Sequence, residues 1–315
     1  MEKKQWIVGS LVFAGIVALA GCSKSPTGPG LTVSQSDRDA ISAVINADPL
    51  YTSDSDMLDD QGANDALAKD QTAITPLAWG RKVLSASRDV TYDQVNDTTV
   101  AVTITTTISG NVYIRARYAG QAADSTVIKP FTEHTMRKVN VFKRSIAAAG
   151  SARWEAREVS AVVGGTDSSN VTINQMTVFM GSDTLVITDP TSYFLRFKGF
   201  PGPRREMPEI NLSLNANERV TVQIALTSSD PDTDFVFLHR PYSVLGLVIR
   251  PLATRMQLIS QTQSGGSYQR VYSFSWTNHI ACRRDVLVTA LTRSSLFDDQ
   301  AKFSTSIWGF PYIVE

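Results

Sequence analysis

Cysteine is nearly absent: Cys22 and Cys282 are the only two in 315 residues. Two thiols exclude a disulfide framework and any multi-cysteine zinc site. Histidine is as scarce, and His134, His239 and His279 stand far apart, which argues against a histidine-rich metal centre. No excess of charge of either sign exists, with 30 Lys and Arg against 30 Asp and Glu. That removes polyanion binding through bulk charge, and with it the case for a nucleic-acid partner. Long apolar runs are missing after residue 20, so no later helical span of a membrane is expected. The sequence also lacks G-x-S-x-G, a phosphate-binding P-loop, H-E-x-x-H and C-x-x-C. Their absence weighs against an enzyme, and nothing points to a cofactor.

The N-terminus is rich in signal by comparison. Lys3 and Lys4 precede an apolar run from Ile7 to Ala20, which is too short for a comfortable span and has the proportions of a signal peptide. The run ends in Leu19-Ala20-Gly21-Cys22. This resembles the bacterial lipoprotein lipobox. The resemblance implies cleavage before Cys22, diacylation of its sulfur and acylation by groups such as palmitate. Two acyl chains give stable anchoring. Ser23 follows the cysteine, and by resemblance to Gram-negative lipoproteins that points to the outer membrane. Ser23 to Gly30 (SKSPTGPG) then reads as a flexible tether. Cys282 is left as the only other thiol, beside Arg283 and Arg284. It is either a small buried hydrophobe or a thiol activated by those arginines.

The organisation expected is a signal peptide over 1–21, a lipidated cysteine and tether over 22–32, an α+β domain over 33–166 and an all-β sandwich over 167–315. In the first folded region Ser36 and Asp39 suggest an N-cap, with Ile41, Val44 and Ile45 on one helical face and Pro49 as the stop. Residues 62–70 and 76–84 read as further helices, the latter carrying Trp79 and Arg81. Val100, Val102, Ile104 and Ile108 alternate with threonines and continue past Gly110 as one long strand. Thr135 to Arg144 and Arg153 to Val163 are the next strands. Asp97-Thr98-Thr99-Val100, Arg137 to Arg144, Trp154 and Glu158-Val159-Ser160 resemble the NTF2-like superfamily. That resemblance implies a bent sheet wrapped on helices around a cone-shaped cavity. The enzymes of that superfamily place an Asp or His base inside the cavity, and His134 is the candidate here. Glu133 and His134 are neighbours on a strand, so only one of them faces inward.

The second region alternates strands and turns: 171–180, 184–188, 220–226, 235–239, 256–262, 268–276 and 285–292. Residues 220–231, 234–241, 265–276 and 283–292 resemble central strands of an immunoglobulin-like module, without its Cys–Trp–Cys core. Asp230, Asp232 and Asp234 alternate carboxylates in a way suited to calcium, although the EF-hand pattern fails at Phe235 and Pro241. Asp298 and Asp299 form a smaller acidic pair. The aromatic end, Trp308 to Tyr312, reads as a segment docked into the core or as an exposed binding patch.

The fold class expected from these patterns is therefore α+β, an NTF2-like cone followed by an immunoglobulin-like β-sandwich. The function expected is that of a membrane-anchored cell-envelope lipoprotein with a non-enzymatic binding or assembly role. The membrane is its partner through Cys22, and an envelope protein is a second candidate partner. Two alternatives stay open: an NTF2-like enzyme or small-molecule binder using the cone, and a calcium- or carbohydrate-engaging surface module.

Overall fold

Strict alternation of β-branched residues decides the architecture. In β2 (Thr99–Tyr118) Val100, Val102, Ile104, Thr106, Ile108, Val112 and Ile114 turn inward, while the intervening threonines turn out. The strand is the centre of a long meander with β1 (Ile74–Asn96) before it and β3 (Ser125–Ile146) after it. These three run 23, 20 and 22 residues, several times the usual strand. Asn96 Oδ1 accepts from the Thr98 amide at 2.9 Å and closes the first hairpin as an Asx turn. Gly110 in β2 is a close approach: a Cβ there would lie 2.2 Å from the Lys82 carbonyl oxygen and 2.8 Å from Phe131.

The computed structural model describes residues 32–51, 58–59, 74–146, 151–196, 213–214, 218–244, 247–277 and 282–314. Thr32 to Glu315 form one compact unit. After β3 come β4 (Ser151–Ser160), β5 (Val162–Gly165), β6 (Val171–Met180), β7 (Asp183–Ile187), β8 (Phe194–Arg196) and β9 (Ser213–Leu214). Then follow β10 (Arg219–Ser228), β11 (Phe235–Val244), β12 (Leu247–Arg255), β13 (Gln257–Ser264), β14 (Ser267–Thr277), β15 (Cys282–Leu291) and β16 (Thr305–Val314). Among the described residues two α-helices accompany them, α1 (Gln35–Asn46) and the single turn α2 (Ser294–Phe297).

Among the described residues eleven strands form one curled sheet in the order β1-β2-β3-β5-β16-β15-β11-β12, with β4, β8 and β9 attached to it; its pairings are antiparallel except that β9 runs parallel to β16. Five form a second sheet in the order β13-β14-β10-β6-β7. The last strand is the keystone of the first sheet. β16 pairs along its whole length with β15 and, on its other side, with β5, which in turn pairs with β3. Glycine makes this junction passable. A Cβ on Gly164 would sit 2.1 Å from the His134 carbonyl oxygen, and one on Gly165, where φ is +143°, would sit 2.3 Å from that of Thr305.

Two apolar clusters result. One lies between the sheets and under α1, joining Ile41, Ile45, Val100, Val102 and Val141 to Val220, Val222, Ile224, Trp276, Val288 and Phe310. The other brings the two limbs of the large sheet face to face, packing Trp79, Ile108, Val112 and Phe131 on Phe235, Phe237, Leu287, Phe297 and Ile307. Trp79 and Phe237 have ring centroids 5.3 Å apart. The aromatic C-terminus is thus a buried central strand, the docked alternative of the two read from its sequence.

The α+β expectation, an NTF2-like cone followed by an immunoglobulin-like sandwich, is overturned. The described residues are mostly β, with 69% strand and 10% helix. Strands β11, β12, β15 and β16 from the C-terminal half complete the sheet begun by β1, β2 and β3, and do not build a separate sandwich. Residues 76–84 are strand, not helix. Their Ala, Leu, Arg and Lys favour a helix in isolation, but register with β2 from Pro76↔Ala116 to Val83↔Gly110 overrides that preference. The helix expected over 62–70 lies outside the described residues.

The helix expected before Pro49 is present as α1, capped by Ser34, whose hydroxyl accepts from the Asp37 amide at 3.2 Å. Asp37 also receives the Trp154 indole N–H at 2.8 Å and Lys143 Nζ at 3.1 Å, which ties α1 to β4 and β3. These bonds, the Trp154 one foremost, hold the Asp37 carboxyl below its ordinary value. A depressed carboxyl contributes stability that is full above pH ~4 and is lost as pH falls through the lowered folded value. We therefore expect Trp154 fluorescence to report loosening of α1 on acidification below pH ~4, and Asp37→Asn to remove that acid-sensitive phase. An unchanged acid phase in Asp37→Asn would show that the helix is held by other contacts.

Candidate functional site

Alternation places charges inside. On β3 the inward set is Lys129, Phe131, Glu133, Thr135, Arg137, Val139 and Val141, all buried. On β15 Asp285 shares the inward parity of Leu287, Thr289 and Leu291. The curl brings these charges together across the sheet.

Arg81 of β1 donates through Nη2 to Glu133 Oε2, and Glu133 Oε1 accepts from the Thr305 hydroxyl of β16 at 2.6 Å. The Arg81 guanidinium also lies 4.8 Å from the Phe131 ring centroid and 5.4 Å from that of Phe303. Further along β3, Arg137 Nη2 donates to Asp285 Oδ2 at 2.8 Å, and its Nη1 donates to the Leu50 carbonyl. All four charged side chains are 2% exposed or less. A third buried pair joins the two sheets: Arg270 Nη1 of β14 donates to Asp234 Oδ2 at 2.5 Å. Arg270 Nη2 donates to the carbonyls of Asp230 and Pro231, both at 2.9 Å. Burial pushes the Asp234 carboxyl up from its ordinary value, against the pull of Arg270 and Ser228. Among the described residues, Arg81 Nε and Nη1, Trp79 Nε1 and Thr289 Oγ1 have no hydrogen-bond partner.

Lys129 forms the outer end of the layer. Its Nζ donates to the carbonyls of Ser295, at 2.8 Å, and Asp298, at 2.5 Å, clamping the α2 segment onto β3. Burial lowers its pKa to about 8, partly opposed by Asp298 and Asp299.

The residues singled out by sequence fall on either side of this layer. His134 faces out, its side chain 41% exposed, with Nδ1 3.1 Å from the Thr107 hydroxyl and Nε2 3.4 Å from Asp167. Its neighbour Glu133 takes the inward position. Asp230, Asp232 and Asp234 do not converge. Asp230 Oδ1 accepts from the Asp232 amide at 3.1 Å and its Oδ2 from the Ser294 amide at 3.1 Å, Asp232 faces Arg293 at 3.7 Å, and Asp234 is held by Arg270. No group of three or more His, Cys, Asp or Glu suited to a metal occurs among the described residues. Asp299 accepts from the Tyr118 hydroxyl at 2.9 Å, and Asp298 Oδ1 from the Gln300 amide. Cys282 opens β15 opposite Val314. Cys22 lies outside the described residues. Arg81, Asp285, Thr305, Lys129 and Arg270 escaped sequence reasoning. The available signal was a charge on the apolar parity of a strand, as at Glu133, Arg137 and Asp285.

No protein-family model matches this sequence, and no curated protein matches it.

Two outcomes follow from burial of these charges. Glu133→Leu strands the Arg81 charge inside and is expected to cost about 3–5 kcal/mol in urea unfolding, whereas Arg81→Met with Glu133→Leu recovers most of that loss. A Glu133→Leu protein within 1 kcal/mol of the parent (roughly the error of such a comparison) would remove the pair from the account. For Lys129, the folded pKa of about 8 is below the ordinary 10.5, so the unfolded chain binds more protons between the two. Stability accordingly rises as pH increases from ~8 to ~10. Beyond pH ~10 the sign reverses, because burial holds Tyr193 and Tyr272 protonated in the fold while unfolded tyrosines ionise. Lys129→Met should flatten the rise between pH ~8 and ~10 and leave the later fall in place.

Proposed function

We propose that the chain is a lipid-anchored protein of the bacterial cell envelope, held through Cys22, with a non-enzymatic binding or assembly role. The targeting part rests on the order of Lys3-Lys4, the apolar run and Leu19-Ala20-Gly21-Cys22. Ser23 supports the outer membrane as the destination. Among the described residues no helix is long and apolar enough to cross a membrane.

The observation that carries the non-enzymatic reading is the state of the buried carboxylates. Glu133, Asp285 and Asp234 each bind an arginine inside the fold, and the one histidine considered as a base points outward. A general base needs a carboxylate or imidazole that can reach a substrate proton. These groups are committed to cross-linking strands. The strands themselves supply a broad and rigid β-rich surface on which a partner in the aqueous envelope space can dock.

The test is metabolic labelling with an alkyne palmitate analogue, followed by membrane flotation, for the parent and Cys22→Ala. The parent is expected to take up label and to float with the outer membrane. Cys22→Ala is expected to lose the label entirely and to shift out of the lipidated pool. An unlabelled parent, or equal labelling of both, would contradict the anchor.

A further inference from the structure

Across the antiparallel pair of β3 and β4, Arg144 stands directly opposite Arg153. Like charges in facing positions work against a hairpin. Both side chains are exposed, Arg144 by 56%. The other end of the meander is handled differently. There Arg115 and Arg117 share Asp124, at 4.0 and 2.8 Å. At the β3–β4 end Glu155 Oε1 lies 3.8 Å from Arg144, and among the described residues no carboxylate pairs with Arg153.

Arginine continues along the outer face of the same strands. A bulge opposite Asn140 and Val141 sets Arg157 out of the ladder, with its guanidinium 4.9 Å from the Phe142 ring centroid. Arg196 of β8 follows, holding Glu158 at 2.9 Å. The face of these three strands thus carries Arg144, Arg153, Arg157 and Arg196 against Glu155 and Glu158. Both glutamates are recessed, at 16% and 13% exposed. The chain enters its folded part beside this face. Asp37, in the first turn of α1, accepts from Lys143 Nζ at 3.1 Å and from the Trp154 indole at 2.8 Å. Lys143 and Trp154 are the cross-strand pair next to Arg144 and Arg153. Thr32, where the compact unit begins, lies five residues ahead of Asp37, and Cys22 lies ten residues ahead of Thr32. Ten residues reach at most about 36 Å.

We propose that the arginine face of β3, β4 and β8 docks on the anionic phospholipid headgroups of the leaflet that holds Cys22, and so fixes which way the folded part faces. This rests on the lipid-anchor reading. The occupant follows from reach and charge together. The segment from Cys22 to Thr32 bounds the distance between the leaflet and the root of α1, so that one anionic surface is always at hand. Guanidinium forks match phosphate oxygens, and a basic cluster near an acyl anchor adds to the hold on an anionic surface. A phosphate between Arg144 and Arg153 also offsets the repulsion that their pairing leaves in the hairpin.

The experiment takes the full chain, extracted from the membranes of cells that express it, and places it on two kinds of vesicle. One is phosphatidylcholine alone, the other equal parts of phosphatidylcholine and phosphatidylglycerol. Amide hydrogen exchange is read by mass spectrometry on peptides covering 142–157 and 112–126. The first peptide should exchange about fivefold more slowly on the anionic vesicles, the effect of even one cation at such a surface. The slowing should vanish in about 1 M salt, where screening acts within about 3 Å. The second peptide should exchange alike on both. Arg144→Glu with Arg153→Glu keeps like charges opposed, so the hairpin's own balance is preserved, and it should lose the slowing. Arg144→Lys with Arg153→Lys should retain it. Equal exchange of 142–157 on the two vesicles, or slowing that survives the double change to glutamate, overturns the proposal. Flotation on phosphatidylcholine alone reports the anchor separately. A chain that does not float there, yet slows on the anionic vesicles, removes the anchor and keeps the arginine face.

Discussion

Burying a guanidinium–carboxylate pair is costly unless the geometry is good and the remaining polar atoms are occupied. In this protein the pairing links residues far apart in sequence. Arg137 of β3 reaches Asp285 of β15, and Arg81 of β1 reaches Glu133, which also holds Thr305 of β16. The Arg137–Asp285 pair and the Glu133–Thr305 bond can form only when the C-terminal strands have been added to the sheet that the long meander begins. Breaking either one leaves a charge in an apolar interior. The Arg137–Asp285 pair therefore acts as a check on assembly: the limbs meet with β16 between them, or both charges remain unpaired. Arg270 and Asp234 apply the same condition to the second sheet, because Arg270 sits on β14 and Asp234 immediately precedes β11.

Much of the local structure was legible. The alternation from Val100 through Ile114 gives β2, and residues 171–180 give β6, because period-two patterning survives in the sequence whatever the partner strand is. The helix ahead of Pro49 was legible for the same reason at period 3.6. What could not be read was pairing. Residues 76–84 look helical alone and become strand only against β2. The boundary expected near residue 166 falls beside Gly164 and Gly165, which carry no side chains. In the fold that smallness lets β5 fit between β3 and β16.

The candidate site was legible in parity and hidden in partnership. That either Glu133 or His134, but not both, faces inward follows from the strand alone. Which of the two turns in is decided by Arg81 and Thr305, 52 and 172 residues away along the chain. The acidic run at Asp230, Asp232 and Asp234 illustrates the reverse case. Its spacing suits a cation, yet its carboxylates answer to Arg270, Arg293 and backbone amides. Alternating acids in a loop say little until the nearest arginine is located.

The central claim is that both halves of the folded chain share one cooperative unit locked by buried ion pairs, and calorimetry tests it most directly. Differential scanning calorimetry of the full chain should show a single transition whose calorimetric and van't Hoff enthalpies agree. Two resolved transitions, one for residues up to about 166 and one for the remainder, would contradict it.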